Sequence, residues 1–442
     1  MTGASVDAAQ FTARDVERAL REARERTLAL VASVAIADLE RIHSPLMSPL
    51  AWDLGHIAAY EDLWLAHRFA GRPLLRADLA DVYDAFETPR AVRAQAGFLS
   101  AAKAREYLGA VRARVLDVIA ERGIGDGTLH EMVLRHEHQH NETMLQTIQL
   151  AQLPDYALAG ATPPASRAFA ATGLELIEVP SGECLLGAPG RAPAGAPAWT
   201  AFSFDNERPC HRTDVRAFLI GQVPITNATY LTFVEGGGYE RREWWSDEGW
   251  AWKEQYDITR PGGWTADLSA EWRLGKYEPL QPDQPVVHVC WFEADAFARA
   301  HRVRLPTEAE WEKAATWDQE SATARGYPWG DQPPIAGVHA NIDQLGLGPA
   351  GVGAFPAGRS PNGCLGMIGD VWEWTASDFR GYPGFVAHPY PQYSEVFFDG
   401  GYKVLRGGSW ATRSRVATPT FRNWDFPQRR QIFSGLRIAR DL

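Results

Sequence analysis

The chain reads as two structural classes in series: a bundle of four long helices over residues 1–153, a linker at 154–174, and an irregular α+β domain over 175–442. Three observations predict this. The first part is rich in Ala, Leu, Arg and Glu and carries apolar residues at helical spacing. The 17 Trp are placed unevenly, with only Trp52 and Trp64 lying before residue 199. Between the two regions, ALAGATPPASRAFAATG has the Pro, Ala and Gly content of a linker.

At 442 residues the length allows two to four domains, each able to bury a core. The net charge of −11 and the lack of Lys/Arg runs argue against nucleic-acid or anionic-membrane partners. Cys184, Cys210, Cys290 and Cys364 show no CxxC spacing and read as buried thiols in a reducing compartment. No run of about 18 apolar residues exists to span a membrane, and MTGASVDAAQF lacks the pattern of a signal peptide. These features predict a cytoplasmic protein, expected to be a monomer.

Taken in order, Ala8 to Arg41 carries one or two helices. Ser48-Pro49 is an N-cap followed by proline at the first helical position, after which Trp52, His56, Tyr60 and Leu63 share a face. Thr88-Pro89 signals another start, leading into a helix from Arg90 to Arg122. Gly123, Gly125 and Gly127 then break the chain before a run from Leu129 to Leu150 without Pro or Gly. Facing helices of such a bundle are a usual place to build a metal site. In the later region Glu175–Leu186, Arg216–Val223, Arg406–Trp410 and Gly435–Ala439 read as strands, Thr307–Trp317 as a short helix, and the stretch between that helix and Arg406 as long loops.

The run Arg135-His136-Glu137-His138-Gln139-His140-Asn141-Glu142 is the centre of interest. At about 100° per residue, His136 and His140 project together on a face otherwise lined by Leu129, Met132, Thr143 and Thr147. That spacing serves helical metal sites, although a histidine on an inward face is often an ordinary core residue. His138 points away, and Glu142 lies too far round to join the pair, so a third ligand must come from elsewhere. His56, on an apolar helix face beside Trp52 and Leu63, is the choice over His43, His67 and His130, which sit before a cap or near helix ends. Three neutral imidazoles leave open positions opposite, which suits Fe(II) with O₂ and a substrate, or Zn(II) with an activated water. Spacing does not choose between them.

Arg90 and Arg93, one turn apart at a helix start, suit a carboxylate ligand or simply form a solvated face. In Phe421-Arg422-Asn423-Trp424-Asp425-Phe426-Pro427-Gln428-Arg429, an indole beside an amide and a carboxylate could hold an ammonium group. Tyr382, in a turn-rich loop, could act as an acid. Ordinary packing explains these residues equally well.

Several motifs carry a resemblance along nearly the whole chain. Pro209-Cys210-His211 through Pro224-Ile225-Thr226-Asn227, Arg304-Leu305-Pro306-Thr307-Glu308-Ala309-Glu310-Trp311-Glu312, Gly369-Asp370-Val371-Trp372-Glu373-Trp374 and Arg406-Gly407-Gly408-Ser409-Trp410 resemble the formylglycine-generating-enzyme (sulfatase-modifying-factor) domain. That implies a C-type-lectin-like fold for 175–442. The bundle with His56 and His136-x₃-His140-x-Glu142 is similar to DinB-like metal-binding domains. Together, in this order, they resemble the iron-dependent sulfoxide synthases of ergothioneine biosynthesis.

The resemblance implies Fe(II) held by His56, His136 and His140, with Nα-trimethylhistidine, O₂ and a thiol (γ-glutamylcysteine or cysteine) as substrates. It implies that Gln139 contacts the substrate imidazole, that Asn423 and Trp424 surround the trimethylammonium and carboxylate, and that Tyr382 donates a proton. Arg90, Arg93, Asp425 and Arg429 are implied to hold γ-glutamylcysteine. No cysteine falls between Thr412 and Arg422, where formylglycine-generating enzymes carry their redox pair. Two other functions stay open from the residues: a zinc-dependent thiol transferase using the bundle alone, and a non-enzymatic lectin-like binding protein.

Overall fold

A computed structural model describes residues 12–160, 171–190 and 197–442. The chain divides into two compact units. The first comprises Met1–Ala159 with two later pieces, Pro197–Phe202 and Leu274–Lys276; the second comprises Gly160–Ala196, Ser203–Arg273 and Tyr277–Leu442. Residues 161–170 of the expected linker, and the N-terminal stretch through Phe11, lie outside the described residues.

The first unit is built on four helices: α1 (Ala13–Leu30), α2 (Leu50–Glu61), α3 (Ala101–Arg122) and α4 (Thr128–Ala151). Thr12 starts α1 through a capping box with Asp15. Helix α2 continues into a π-helical stretch, Asp62–Phe69, a geometry that often marks functional regions. Gly127, at φ +80, turns the chain into α4.

Two expected helix starts are corrected. Ser48 does not cap α2, because its hydroxyl accepts from the buried Arg93 guanidinium instead. Thr88-Pro89 opens only a six-residue 3₁₀ turn, Arg90–Gln95; the long helix begins eleven positions later, capped by Ser100. Thr88 donates its hydroxyl to Asp81 O and so has no role at a helix end.

Inside the bundle one charged residue from each helix meets the others: Arg24 of α1, Glu61 of α2, Arg112 of α3 and Glu137 of α4, all buried. Arg24 bonds Glu137 at 2.9 Å and Glu61 at 2.7 Å, and Arg112 bonds the same two carboxylates at 3.0 and 2.7 Å. Thr27 adds a hydroxyl to Glu137 at 2.7 Å, and Asn141 donates to Thr27 at 2.8 Å. Two positive and two negative groups cancel, so burial is tolerated. This quartet sets the rotation of α4 about its axis.

The later pieces of the first unit dock by backbone. Leu274 N donates to the Gln149 side chain at 2.8 Å, and Asp155 N donates to Gly275 O at 3.1 Å. Gly275 holds φ +108, and a Cβ there would meet the Tyr156 backbone at 2.6 Å, so only glycine fits.

In the second unit a three-stranded antiparallel sheet runs in the order Leu176–Val179, Phe218–Gly221, Ala439–Asp441. A four-stranded sheet runs Asn423–Asp425, Lys403–Arg406, Trp372–Asp378, Ser434–Leu436, its last pair parallel. The expected helix at 307–317 is Glu308–Thr316, started by a Thr307 capping box. Helices Asn227–Glu235, Asp247–Gln255 and Trp291–Ala300 occupy stretches for which the sequence alone predicts no element. They are only nine or ten residues long, too short for periodicity to reveal them, although Thr226 and Ser246 are ordinary N-caps.

The expected strand 175–186 splits at Pro180-Ser181, and 216–223 shortens to Phe218–Gly221. The strand expected at 406–410 ends at Arg406, because Gly407 and Gly408 turn at φ +94 and +81. The segment 435–439 serves two different sheets. Among the buried tryptophans, Trp311 donates its indole N–H to Glu373 at 2.7 Å and Trp374 donates to Val289 O at 2.9 Å.

Candidate metal centre

His56 from α2 and His136 and His140 from α4 converge, each offering one ring nitrogen within 4.8 Å of the others. The ring centroids lie 4.5–5.0 Å apart. The Nε2 atoms of His56 and His136 face each other at 3.1 Å. His56 Nδ1 lies 2.6 Å from the Tyr83 carbonyl, so Nδ1–H donates outward and leaves the Nε2 lone pair directed at its neighbours. Burial pushes His56 and His136 well below the ordinary histidine range, and the neighbouring His140 pushes them further. Both are therefore neutral donors at pH 7. Inward-facing lone pairs and, at His56, an outer nitrogen already engaged suit imidazole ligands of a divalent metal.

Aromatic side chains hold the ligands. Tyr60 stacks on His136 with centroids 3.6 Å apart, and Trp52 stacks on His56 at 4.7 Å. Gly55 lets Tyr83 lie against α2, since a Cβ there would meet the tyrosine ring at 2.1 Å. The rejected candidates have other partners: His43 engages Asp38 O, His67 engages Arg72 O, and His130 packs edge-on against Phe69.

Of the other expected site residues in this unit, Gln139 sits beside His140 with a buried Nε2 that has no hydrogen-bond partner. Arg90 is exposed, whereas Arg93 is buried. The Arg93 guanidinium lies 3.7 Å over the Trp52 ring and donates to Thr88 O and Ser48 Oγ. Burial pushes its pKa down to about 10, with Asp53 opposing. The expected convergence of two arginines at one helix start is thus corrected: they occupy a short turn in different environments.

In the second unit Tyr382 is buried, its hydroxyl 3.4 Å from Glu308 Oε2. Burial raises its pKa far above the ordinary tyrosine value, and Glu308 raises it further. The Arg422 guanidinium lies over both the Tyr382 and Phe379 rings, and Trp424 stacks on Phe379 at 4.1 Å. Tyr382 and Trp424 therefore belong to one stack. Asn423 and Asp425 sit on the opposite face of the strand from Trp424, because successive strand residues alternate. Asp425 faces Arg429 at 3.5 Å and accepts from Gln431 at 3.1 Å.

Sequence reasoning passed over Asp53, Tyr83, Glu308 and Arg422. For Asp53 a signal existed, an acid three residues before His56 on the same apolar face. Among the four thiols Cys184, Cys290 and Cys364 are buried, as expected, and Cys210 is partly exposed.

Fold and site together define a DinB-type histidine bundle followed by a sulfatase-modifying-factor-type unit. Comparison with known proteins agrees. Residues 19–144 match the DinB superfamily, and residues 163–442 match the sulfatase-modifying factor enzyme 1-like domain. The chain is 45% identical to the hercynine oxygenase of Mycolicibacterium thermoresistibile, covering 97% of this chain and 95% of the relative. It is also 45% identical to that of Mycobacterium tuberculosis, over 96% and 98%. A formylglycine-generating enzyme from M. tuberculosis is 31% identical over 46% of this chain and 74% of its own. The chain belongs to the hercynine oxygenase family.

Proposed function

We propose that this protein is an Fe(II)- and O₂-dependent sulfoxide synthase. It joins the sulfur of a thiol, γ-glutamylcysteine ahead of cysteine, to C2 of the imidazole of Nα-trimethylhistidine. The observation that carries this reading is the convergence of His56, His136 and His140, in a chain 45% identical to hercynine oxygenases over nearly its full length.

The reaction balances as thiol plus imidazole C2–H plus O₂ giving the sulfoxide and water. One oxygen atom goes to sulfur and the other leaves with the two hydrogens, so the four electrons O₂ accepts come from making the C–S bond and oxidising the sulfur. Bound by His56, His136 and His140, Fe(II) would supply the redox partner for O₂ and the open positions for the substrates.

The proposed roles of the other side chains are those the family resemblance implies, and their chemistry accords with them. The unpartnered amide N–H of Gln139 would donate to the substrate imidazole and orient it. Tyr382, holding its proton at neutral pH, would be the proton donor, and Glu308 would position its hydroxyl. The Trp424 indole and the Asn423 amide would take the trimethylammonium and the carboxylate. Arg90, Arg93, Asp425 and Arg429 would hold the charged ends of γ-glutamylcysteine. Arg90 is the freer of its pair, since Arg93 already serves Ser48, Thr88 and Trp52. A monomer working in the cytoplasm fits four free thiols. Among the described residues no helix is long and apolar enough to cross a membrane.

Mass analysis of products from protein, Fe(II), O₂, trimethylhistidine and equal amounts of the two thiols tests the reading. The expected product is the γ-glutamylcysteinyl sulfoxide. A cysteinyl adduct alone would remove the arginines from thiol binding, and no adduct would overturn the function.

A further inference from the structure

Two buried polar groups beside the histidine trio lack partners, and they face each other. Asp53 lies on α2, one turn before His56, with no solvent exposure. Neither carboxylate oxygen accepts a hydrogen bond, and His140 Nδ1 makes none. The distance between Asp53 Oδ1 and His140 Nδ1 is 3.3 Å, within reach but out of alignment. A carboxyl group buried without donors is unfavourable unless something completes its surroundings. The nearby Arg93 lies over Trp52 and donates to Thr88 and Ser48.

Metal-bound histidines usually donate their second ring N–H to a carbonyl or carboxylate, which fixes the tautomer and aims the coordinating nitrogen. His56 already shows this arrangement through the Tyr83 carbonyl. For His140 the group in the corresponding position is Asp53.

We infer that Asp53 is the positioning residue of His140: it accepts Nδ1–H, which leaves Nε2 to the metal, and places a carboxylate behind one of the three imidazoles. This rests on the metal-site reading above. A small rotation of the His140 ring brings Nδ1–H into line with Oδ1 once Nε2 is held by a metal. Metal binding and satisfaction of the buried carboxyl group are then one event. In the metal-free fold Asp53 accepts no hydrogen bond and acts only through its charge, which opposes the lowering of the Arg93 pKa.

The experiment measures Co(II) and anaerobic Fe(II) affinity by chelator competition in the full chain, beside the melting temperature of the metal-free protein. Wild type, Asp53→Ala, Asp53→Asn and His136→Ala are compared. Asp53→Ala is expected to weaken metal binding about 10–100-fold with one metal per chain retained. Its metal-free melting temperature should stay level or rise. Asp53→Asn, whose amide oxygen still accepts from Nδ1–H, should lose less, and it carries the test if the alanine chain does not fold.

Unchanged affinity in both Asp53 variants overturns the inference. So does a lower metal-free melting temperature at unchanged affinity, which would make Asp53 a counter-charge for Arg93. Collapse of the Co(II) ligand-field spectrum to that of a site lacking one donor would make Asp53 a ligand and overturn it too. If wild type binds no metal that His136→Ala abolishes, the metal-site reading falls and takes this inference with it.

Discussion

The first unit holds two buried polar clusters on one helix, built on opposite principles. Around Glu137 the cluster is closed: two arginines and two glutamates from four helices satisfy one another, with Thr27 and main-chain carbonyls taking up remaining groups. Around His136, one residue earlier on α4, the cluster is open. Its imidazoles direct ring nitrogens at one another, and Gln139, His140 and Asp53 each keep a buried polar atom without a partner. A closed cluster holds structure; an open one is complete only with something bound. Because α4 carries both, the quartet fixes the rotation that presents His136 and His140 to α2.

The largest effect should come from the open cluster. His136→Ala removes one of the three proposed ligands, so turnover should fall to background, and the rise in melting temperature that the proposal expects on adding Fe(II) should vanish. Saturation at 1,000 times the dissociation constant stabilises by about 4 kcal/mol, which is the increment to be lost. The metal-free variant should melt near wild type, because the histidine trio contributes little until it is filled. A metal-free variant that melts far lower would erase the distinction between the clusters.

Glu137→Gln should do the reverse. Removing one charge leaves Arg24 and Arg112 buried with excess positive charge, at a cost of about 3–5 kcal/mol in unfolding free energy. Denaturant unfolding of metal-free protein measures it. At temperatures where the variant stays folded, metal affinity should fall much less than in His136→Ala.

These clusters were unequally legible in the sequence. The spacing of His136 and His140, and the apolar face carrying His56, are local features that a helical period exposes. The quartet is not local. Arg24 and Glu137 are 113 residues apart, and each alone looks like a charge on a solvated helix face. Asp53 went unread for a similar reason, since an acid in the first turn of a helix has an ordinary explanation in the helix dipole. Thr88-Pro89 misled because Thr-Pro starts a 3₁₀ turn as readily as a helix, while Ser100 held the true cap. In the second unit the motifs around Glu308 and Phe421–Arg429 were visible. The Arg422–Glu308 pairing that ties them to Tyr382 spans 114 residues and emerges only in the fold.

The smallest expected effect concerns His130, which lies on α4 but in neither cluster. It is buried against Phe69 with no hydrogen bond to either ring nitrogen among the described residues. Burial lowers its pKa from 6.5 to about 4, Asp126 and Glu61 acting weakly the other way. The folded chain therefore takes up this proton later than the unfolded chain as pH falls. Its contribution is complete above pH 6.5 and is lost progressively as pH drops toward about 4, by roughly 3 kcal/mol at 1.4 kcal/mol per pH unit. Glu137 behaves differently. Burial alone would raise its pKa, but Arg24 and Arg112 outweigh that and hold it below 4.5, so its contribution fades only at more acid pH. Urea unfolding of wild type and His130→Leu at matched metal content, from pH 7 to pH 4, separates the two. The variant should lose less stability between pH 6.5 and 4 than wild type and then fall in parallel with it. Equal losses across that interval would mean that His130 finds a proton partner in solution, and that burial on α4 does not by itself keep a histidine neutral.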